Sequence, residues 1–121
     1  MFPIEAALLE GRESGWRAAE LGEQVIRLVF ASPHWVRRIE LLFVEEELER
    51  VQQFVLRWKP ENSNTYRDIL RQQFVFSPGG ATREFERYTV GLEALQELEL
   101  RITPDLGGKE TFATLRSLRL A

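Results

Sequence analysis

A single histidine, no cysteine and three tryptophans bound the chemistry open to this chain of 121 residues. His34 lies in the stretch Ser32-Pro33-His34-Trp35, between two apolar runs. An imidazole acts as an acid or base only with a nucleophile, carboxylate or substrate proton within hydrogen-bond reach. No motif around His34 supplies one, and the residue reads as an incidental loop histidine. The chain has no G-x-S-x-G elbow, no H-E-x-x-H zinc helix and no phosphate-binding glycine loop. Without cysteine there is no thiolate nucleophile, disulfide or cysteine zinc site. A transition-metal site would have to rest almost wholly on carboxylates, which suits those metals poorly. The expectation is a protein that is not an enzyme and carries no cofactor.

Binding chemistry is better represented. Tryptophan faces stack on sugar rings and other flat apolar surfaces. Trp35 falls in a turn and is therefore the candidate platform, with a core position as the competing reading. Trp58 shares its alternation with Phe54 and Leu56 and reads as core. Arg71-Gln72-Gln73-Phe74-Val75-Phe76 places hydrogen-bonding groups on a strand that enters Ser77-Pro78-Gly79-Gly80. Arg71 and Gln73 could grip hydroxyls or a carboxylate with fork geometry. The plainer reading is an edge strand kept soluble by polar side chains. Trp35, His34, Arg71 and Gln73 are thus the candidate ligand-binding set. Glu45, Glu46, Glu47 and Glu49 could offer calcium oxygens, but the run lacks the Asp, Asn and Gly of such loops and reads as a solvated turn. Asp105 with Gly107 and Gly108 also reads as a turn.

The elements that must position these residues are strands. Residues 25–30 set Ile26, Leu28 and Phe30 on one face and Arg27 on the other. Residues 36–44 do the same with Ile39, Leu41 and Phe43 against Arg38 and Glu40. In residues 95–103, Leu98, Leu100 and Ile102 alternate with Glu97, Glu99 and Arg101. Period-two alternation of this kind belongs to sheets with one wet face. Residues 114–120 place Leu118 and Leu120 together with Leu115 out of phase, which a bulge would repair. Residues 45–53 conflict with this pattern. Val44, Leu48, Val51 and Val55 recur at helical spacing and the glutamates favour helix, whereas Phe54, Leu56 and Trp58 alternate as in a strand.

Three segments resemble the discoidin, or coagulation factor type C, family of galactose-binding-like domains. Gly15-Trp16-Arg17-Ala18-Ala19 followed by Gln24-Val25-Ile26-Arg27-Leu28-Val29-Phe30 is similar to the family's early tryptophan and the strand after it. Val36-Arg37-Arg38-Ile39-Glu40-Leu41 is similar to its next strand. Leu98-Glu99-Leu100-Arg101-Ile102-Thr103-Pro104, a glycine-containing loop and then Leu115-Arg116-Ser117-Leu118-Arg119-Leu120 resembles its closing pair. The resemblance implies an all-β jelly-roll β-sandwich of about eight antiparallel strands. It makes residues 51–58 a strand and residues 45–50 a charged hairpin loop, and it places Trp16 near the sandwich edge. Many secreted members tie their termini with a disulfide, which this chain cannot form.

Length and charge complete the reading. The whole chain, residues 1–121, makes one domain of ordinary size, with residues 1–14 packing on the sandwich through Phe2, Ile4, Leu8 and Leu9. Net charge is −3, from 16 basic and 19 acidic residues, which argues against electrostatic binding to nucleic acid. No apolar run reaches membrane-spanning length, and no signal segment is evident. A cytoplasmic location is expected, since a fold without cysteine suits a reducing compartment. The resemblance implies a non-catalytic module that holds a carbohydrate or other small polar ligand in loops at one end of the sandwich. The alternative is an intracellular domain that binds a protein partner. Leu42, Val55 and Val75, on faces assigned outward, also leave room for a homodimer.

Overall fold

The computed structural model describes residues 16–121. The proposed packing of residues 1–14 lies outside the described residues. Seven strands follow in order: β1 (Trp16–Leu21), β2 (Gln24–Val44), β3 (Arg50–Pro60), β4 (Arg67–Phe76), β5 (Arg83–Thr103), β6 (Phe112–Leu115) and β7 (Ser117–Leu120). Every pairing is antiparallel. One hydrogen-bonded sheet has the order β4-β3-β5-β2-β7, and β1 and β6 form a second, two-stranded sheet.

The architecture turns on β2 and β5, each 21 residues long. A straight strand of that length would run to about 70 Å at ~3.3 Å per residue, far beyond a domain of this size. Both strands therefore bend together. Val29 pairs with Glu97 and His34 with Leu95, so β2 carries Phe30, Ala31, Ser32 and Pro33 opposite Gln96 alone. Pro33 has no N–H to donate to a ladder, which favours such a break. Two further register shifts follow before Arg38 pairs with Thr89. Within the same bend Ala94 sits at φ 56°, a left-handed conformation uncommon outside glycine and asparagine.

The bend folds the sheet onto itself as two layers. β4, β3, residues 95–103 of β5 and residues 24–29 of β2 form one layer. Residues 83–89 of β5, residues 38–44 of β2 and β7 form the other. Between them Phe43 stacks on Phe54 with ring centroids 5.3 Å apart, and Tyr88 meets Phe54 edge-on. Ile39, Leu41, Leu56, Phe76, Leu95, Ile102 and Leu118 are wholly buried beside them. Burying each such side chain contributes about 1.5–3 kcal/mol. The β1–β6 ribbon adds Trp16, Ala18, Ala113 and Leu115 to the same core.

This is the sandwich that the resemblance implies, with differences of detail. Two runs separated in the sequence by Ser32-Pro33 are one bent strand, so the described residues hold seven strands. Residues 45–49 are a loop and β3 begins at Arg50, so alternation prevails over helical spacing there. The helix-favouring glutamates yield because Phe54, Leu56 and Trp58 bury only if β3 is extended. In the last run the chain breaks at Arg116 instead of bulging. β6 pairs with β1, β7 pairs with β2, and Leu115 and Leu118 both reach the core by this change of sheet.

Candidate functional site

The bend that divides β2 also displays its aromatics. Excess residues on β2 push Ser32 and Pro33 out, and Gln96 Nε2 donates to the Phe30 carbonyl in place of a ladder bond. His34 packs edge-on against Phe30 at 5.3 Å between ring centroids. Trp35 is the odd residue within the second register shift, opposite Glu93 and Ala94, and it remains 58% exposed. The Arg37 guanidinium lies 4.9 Å from its ring centroid. Phe30, His34, Trp35, Val36, Leu120 and Ala121 line a hollow of about 240 Å³. Its far wall is held by the backbone, since Arg37 N and Arg38 N both donate to the Ala121 carbonyl at 2.7 and 2.9 Å. Trp35 thus lies on an irregular stretch of strand, where a turn was expected, and Trp58 and Trp16 are core.

Arg71 and Gln73 stand elsewhere. Both project from β4, an edge strand, onto the outer face of its layer. Arg71 pairs with Val55, and Gln73 pairs with Gln53 and donates from Nε2 to Gln53 Oε1 at 3.1 Å. A second hollow, of about 280 Å³, is lined there by Glu23, Gln53, Val55, Arg57, Asp68, Arg71 and Arg101. The four candidate residues therefore divide between two places, His34 with Trp35 and Arg71 with Gln73. A single ligand site at one end of the sandwich does not contain them all.

Three charged clusters escaped the sequence reading. Glu99 and Glu40 alternate outward as expected, yet their side chains are 1% and 5% exposed. Glu99 lies beneath Arg27 and Arg57, with contacts of 3.1 and 3.4 Å from its cross-strand neighbours. Glu40 lies between Arg87 at 2.7 Å and Arg119 at 3.4 Å in the other layer. The hydrogen bond from Arg87 holds the Glu40 carboxyl below its ordinary range. Cross-strand facing charges of opposite sign are the sheet's counterpart of helical ion pairs. A reader of the sequence could have found them only by knowing the register.

The third cluster is interior. Arg50, 2% exposed, donates from Nε to Glu45 Oε1 at 2.8 Å and from Nη1 to Gln52 Oε1 and the Pro104 carbonyl. Its guanidinium also lies over the Phe76 ring. Gln52 Nε2 then donates to Glu84 Oε1 at 3.0 Å. Burial, reinforced by Glu86, pushes the Glu84 carboxyl up to about 8. Both Glu45 oxygens are engaged, Oε1 by Arg50 and Oε2 by the N–H groups of Glu47 and Leu48. Asp105 is engaged likewise, accepting from Val51 N and Lys109 N, both at 2.9 Å. These backbone donors lower its carboxyl below the usual range and organise the turn around Gly107 and Gly108.

No family model and no curated protein matches this chain. Among solved structures, the crystal structure of the F5/8 type C domain of a Bacteroides fragilis protein resembles it with a TM-score of 0.56. The likeness covers 96% of this chain and 78% of that one, at 13% identity. With the two antiparallel sheets and the bent strands, it establishes a discoidin-like β-sandwich of the galactose-binding-like type. Identity of this order speaks for the fold alone.

Proposed function

We infer that the protein is a non-catalytic binding module whose ligand seats on Trp35. The observation that carries this reading is the irregular bend of β2 against β5, which holds Trp35 58% exposed beside a hollow of about 240 Å³. An exposed indole costs solvation unless something covers it, and aromatic faces suit sugar rings. A rigid backbone ladder on one side and the Gln96 clamp on the other keep the platform preorganised, which limits the entropy lost on binding. His34, next in the chain, supplies a ring nitrogen able to donate or accept at the edge of the hollow. The ligand class is a small carbohydrate held by stacking and a few directed hydrogen bonds.

A glycan array followed by calorimetry tests the reading. Binding of one or a few related sugars is expected, with at least tenfold loss in Trp35→Ala and no change in thermal midpoint. Sugar binding that survives Trp35→Ala would move the site elsewhere. No sugar binding at all would favour a second reading, docking of a protein partner. That alternative draws on Phe85, 58% exposed and paired with half-buried Leu42 on the outer face of its layer. Light scattering on the purified chain, alone and after capture from lysate, separates a self-associating face from one that recruits another protein.

A further inference from the structure

The outer-face hollow on β4, β3 and β5 has a construction of its own. Arg71, Val55 and Arg101 are directly paired across three neighbouring strands, so they form one row on one face. Directly opposed residues in adjacent strands stand about 4.5–5.5 Å apart at Cβ. The two arginines are therefore roughly 10 Å apart with the short valine between them. That spacing leaves a gap with an apolar floor and guanidinium walls. Arg57 and Gln53 close its two sides, two residues to either side of Val55 along β3 and so on the same face.

The donors of this hollow are under-used. The Arg71 side chain has no ion pair or hydrogen bond among the described residues, its backbone alone being paired in the ladder with Val55. Arg101 Nε is buried without a hydrogen-bond partner; Glu23 stands 3.9 Å from it, and Glu99 stands 4.0 Å from Nη2 of the same guanidinium. Gln53 spends its carbonyl oxygen on Gln73, which leaves its amide N–H group for another acceptor. Glu99 is already held by Arg27 at 3.1 Å and shared with Arg57 at 3.4 Å. Three guanidiniums line the hollow, Arg57, Arg71 and Arg101, beside two lining carboxylates, Glu23 and Asp68, and the covered Glu99, which Arg27 outside the hollow already pairs. Two of those acids sit out on the rim, with Glu23 51% and Asp68 87% exposed. A hollow with surplus donors around an apolar floor is short of an acceptor with several oxygens.

We propose that this hollow binds a single oxyanion group, the carboxylate or sulfate of a small acidic ligand, above Val55 between Arg71 and Arg101. Guanidinium forks match such groups with paired N–H···O bonds, and the Gln53 amide adds a neutral donor. This site is independent of the Trp35 hollow, with which it shares no lining residue.

The test is a two-dimensional amide and arginine Nε–H titration of the whole chain at constant ionic strength, with glucuronate, glucose and inorganic sulfate as separate probes. Glucuronate or sulfate is expected to give saturating shifts at Val55, Arg71 and Arg101, while glucose gives none there. Saturation by glucuronate alone assigns a planar carboxylate, and saturation by sulfate alone assigns a tetrahedral anion. Arg71→Gln, on the exposed edge strand, is expected to weaken binding at least fivefold without unfolding the chain. Glu23→Gln, which removes a rim carboxylate, is expected to tighten it at least twofold. The proposal is overturned if the shifts fail to saturate, if chloride reproduces them, or if neither substitution changes the affinity in its stated direction.

Discussion

Glu84 shows how much one side chain can carry. Its carboxyl is 1% exposed, with one oxygen held by Gln52 and the other buried without a hydrogen-bond donor. The groups that face it are Arg50 and Gln52 from β3 and Glu86 from its own strand, and Tyr88 lies two residues beyond Glu86. Burial first, and then Glu86, raises it from an ordinary 4.5 to about 8. The sign follows from linkage: between those values the folded chain keeps a proton that the unfolded chain has released. Stability from this group is complete below pH 4.5 and declines as pH rises toward about 8. Glu40, Glu97 and Asp105 act oppositely, because their carboxyls are lowered and their contribution is lost only as pH falls below the ordinary carboxylate range. Thermal midpoints across pH 5 to 9 are therefore expected to fall for the parent chain and to fall much less for Glu84→Gln. Identical slopes for the two proteins would mean that Glu84 is ionised throughout.

At the scale of the element, the bend in β2 and β5 is where the fold and the proposed ligand platform meet. Three register shifts and one positive-φ alanine turn two long strands through the corner and leave Trp35 outside. Ala94 is tolerated at φ 56° because its side chain is small, and its carbonyl accepts from Glu61 N at 2.8 Å. A β-branched residue at that φ meets its own backbone. Ala94→Val is expected to cost about 2 kcal/mol in urea denaturation, in the range of local backbone strain, and to weaken any ligand that uses Trp35. A cost below about 0.5 kcal/mol would show that the corner does not depend on this conformation.

For the molecule as a whole, the two layers are joined by a short list of contacts rather than by separate cores. Phe54 is the centre of that list, stacked on Phe43 and edge-on to Tyr88, with no exposed surface. Phe54→Ala is expected to cost about 3–5 kcal/mol, since neither layer can collapse into the space. A single cooperative unfolding transition should persist in the variant until it is too unstable to fold. Two separated transitions in fluorescence and circular dichroism would show that the layers hold together independently.

The local alternation of side chains was enough to establish most strands and the inner face. For residues 45–58 it stood against a helical period, and only the resemblance made residues 51–58 a strand. Ile39, Leu41, Phe43, Phe54, Leu56, Trp58, Leu98, Leu100 and Ile102 all point inward as their period of two requires. The same rule misled at Glu40 and Glu99, which alternate outward and are nonetheless covered, because covering depends on arginines from neighbouring strands. It was silent on the long strands, since Ser32-Pro33 reads identically as a turn between strands or a bulge within one. It could not say that Trp35 and Arg71 belong to different hollows. Chain order and residue type are properties of one strand at a time, whereas register, bend and face-to-face packing are relations between strands. The sequence by itself determined an all-β chain with this core; tertiary structure alone decided which charges are buried and which polar groups share a site.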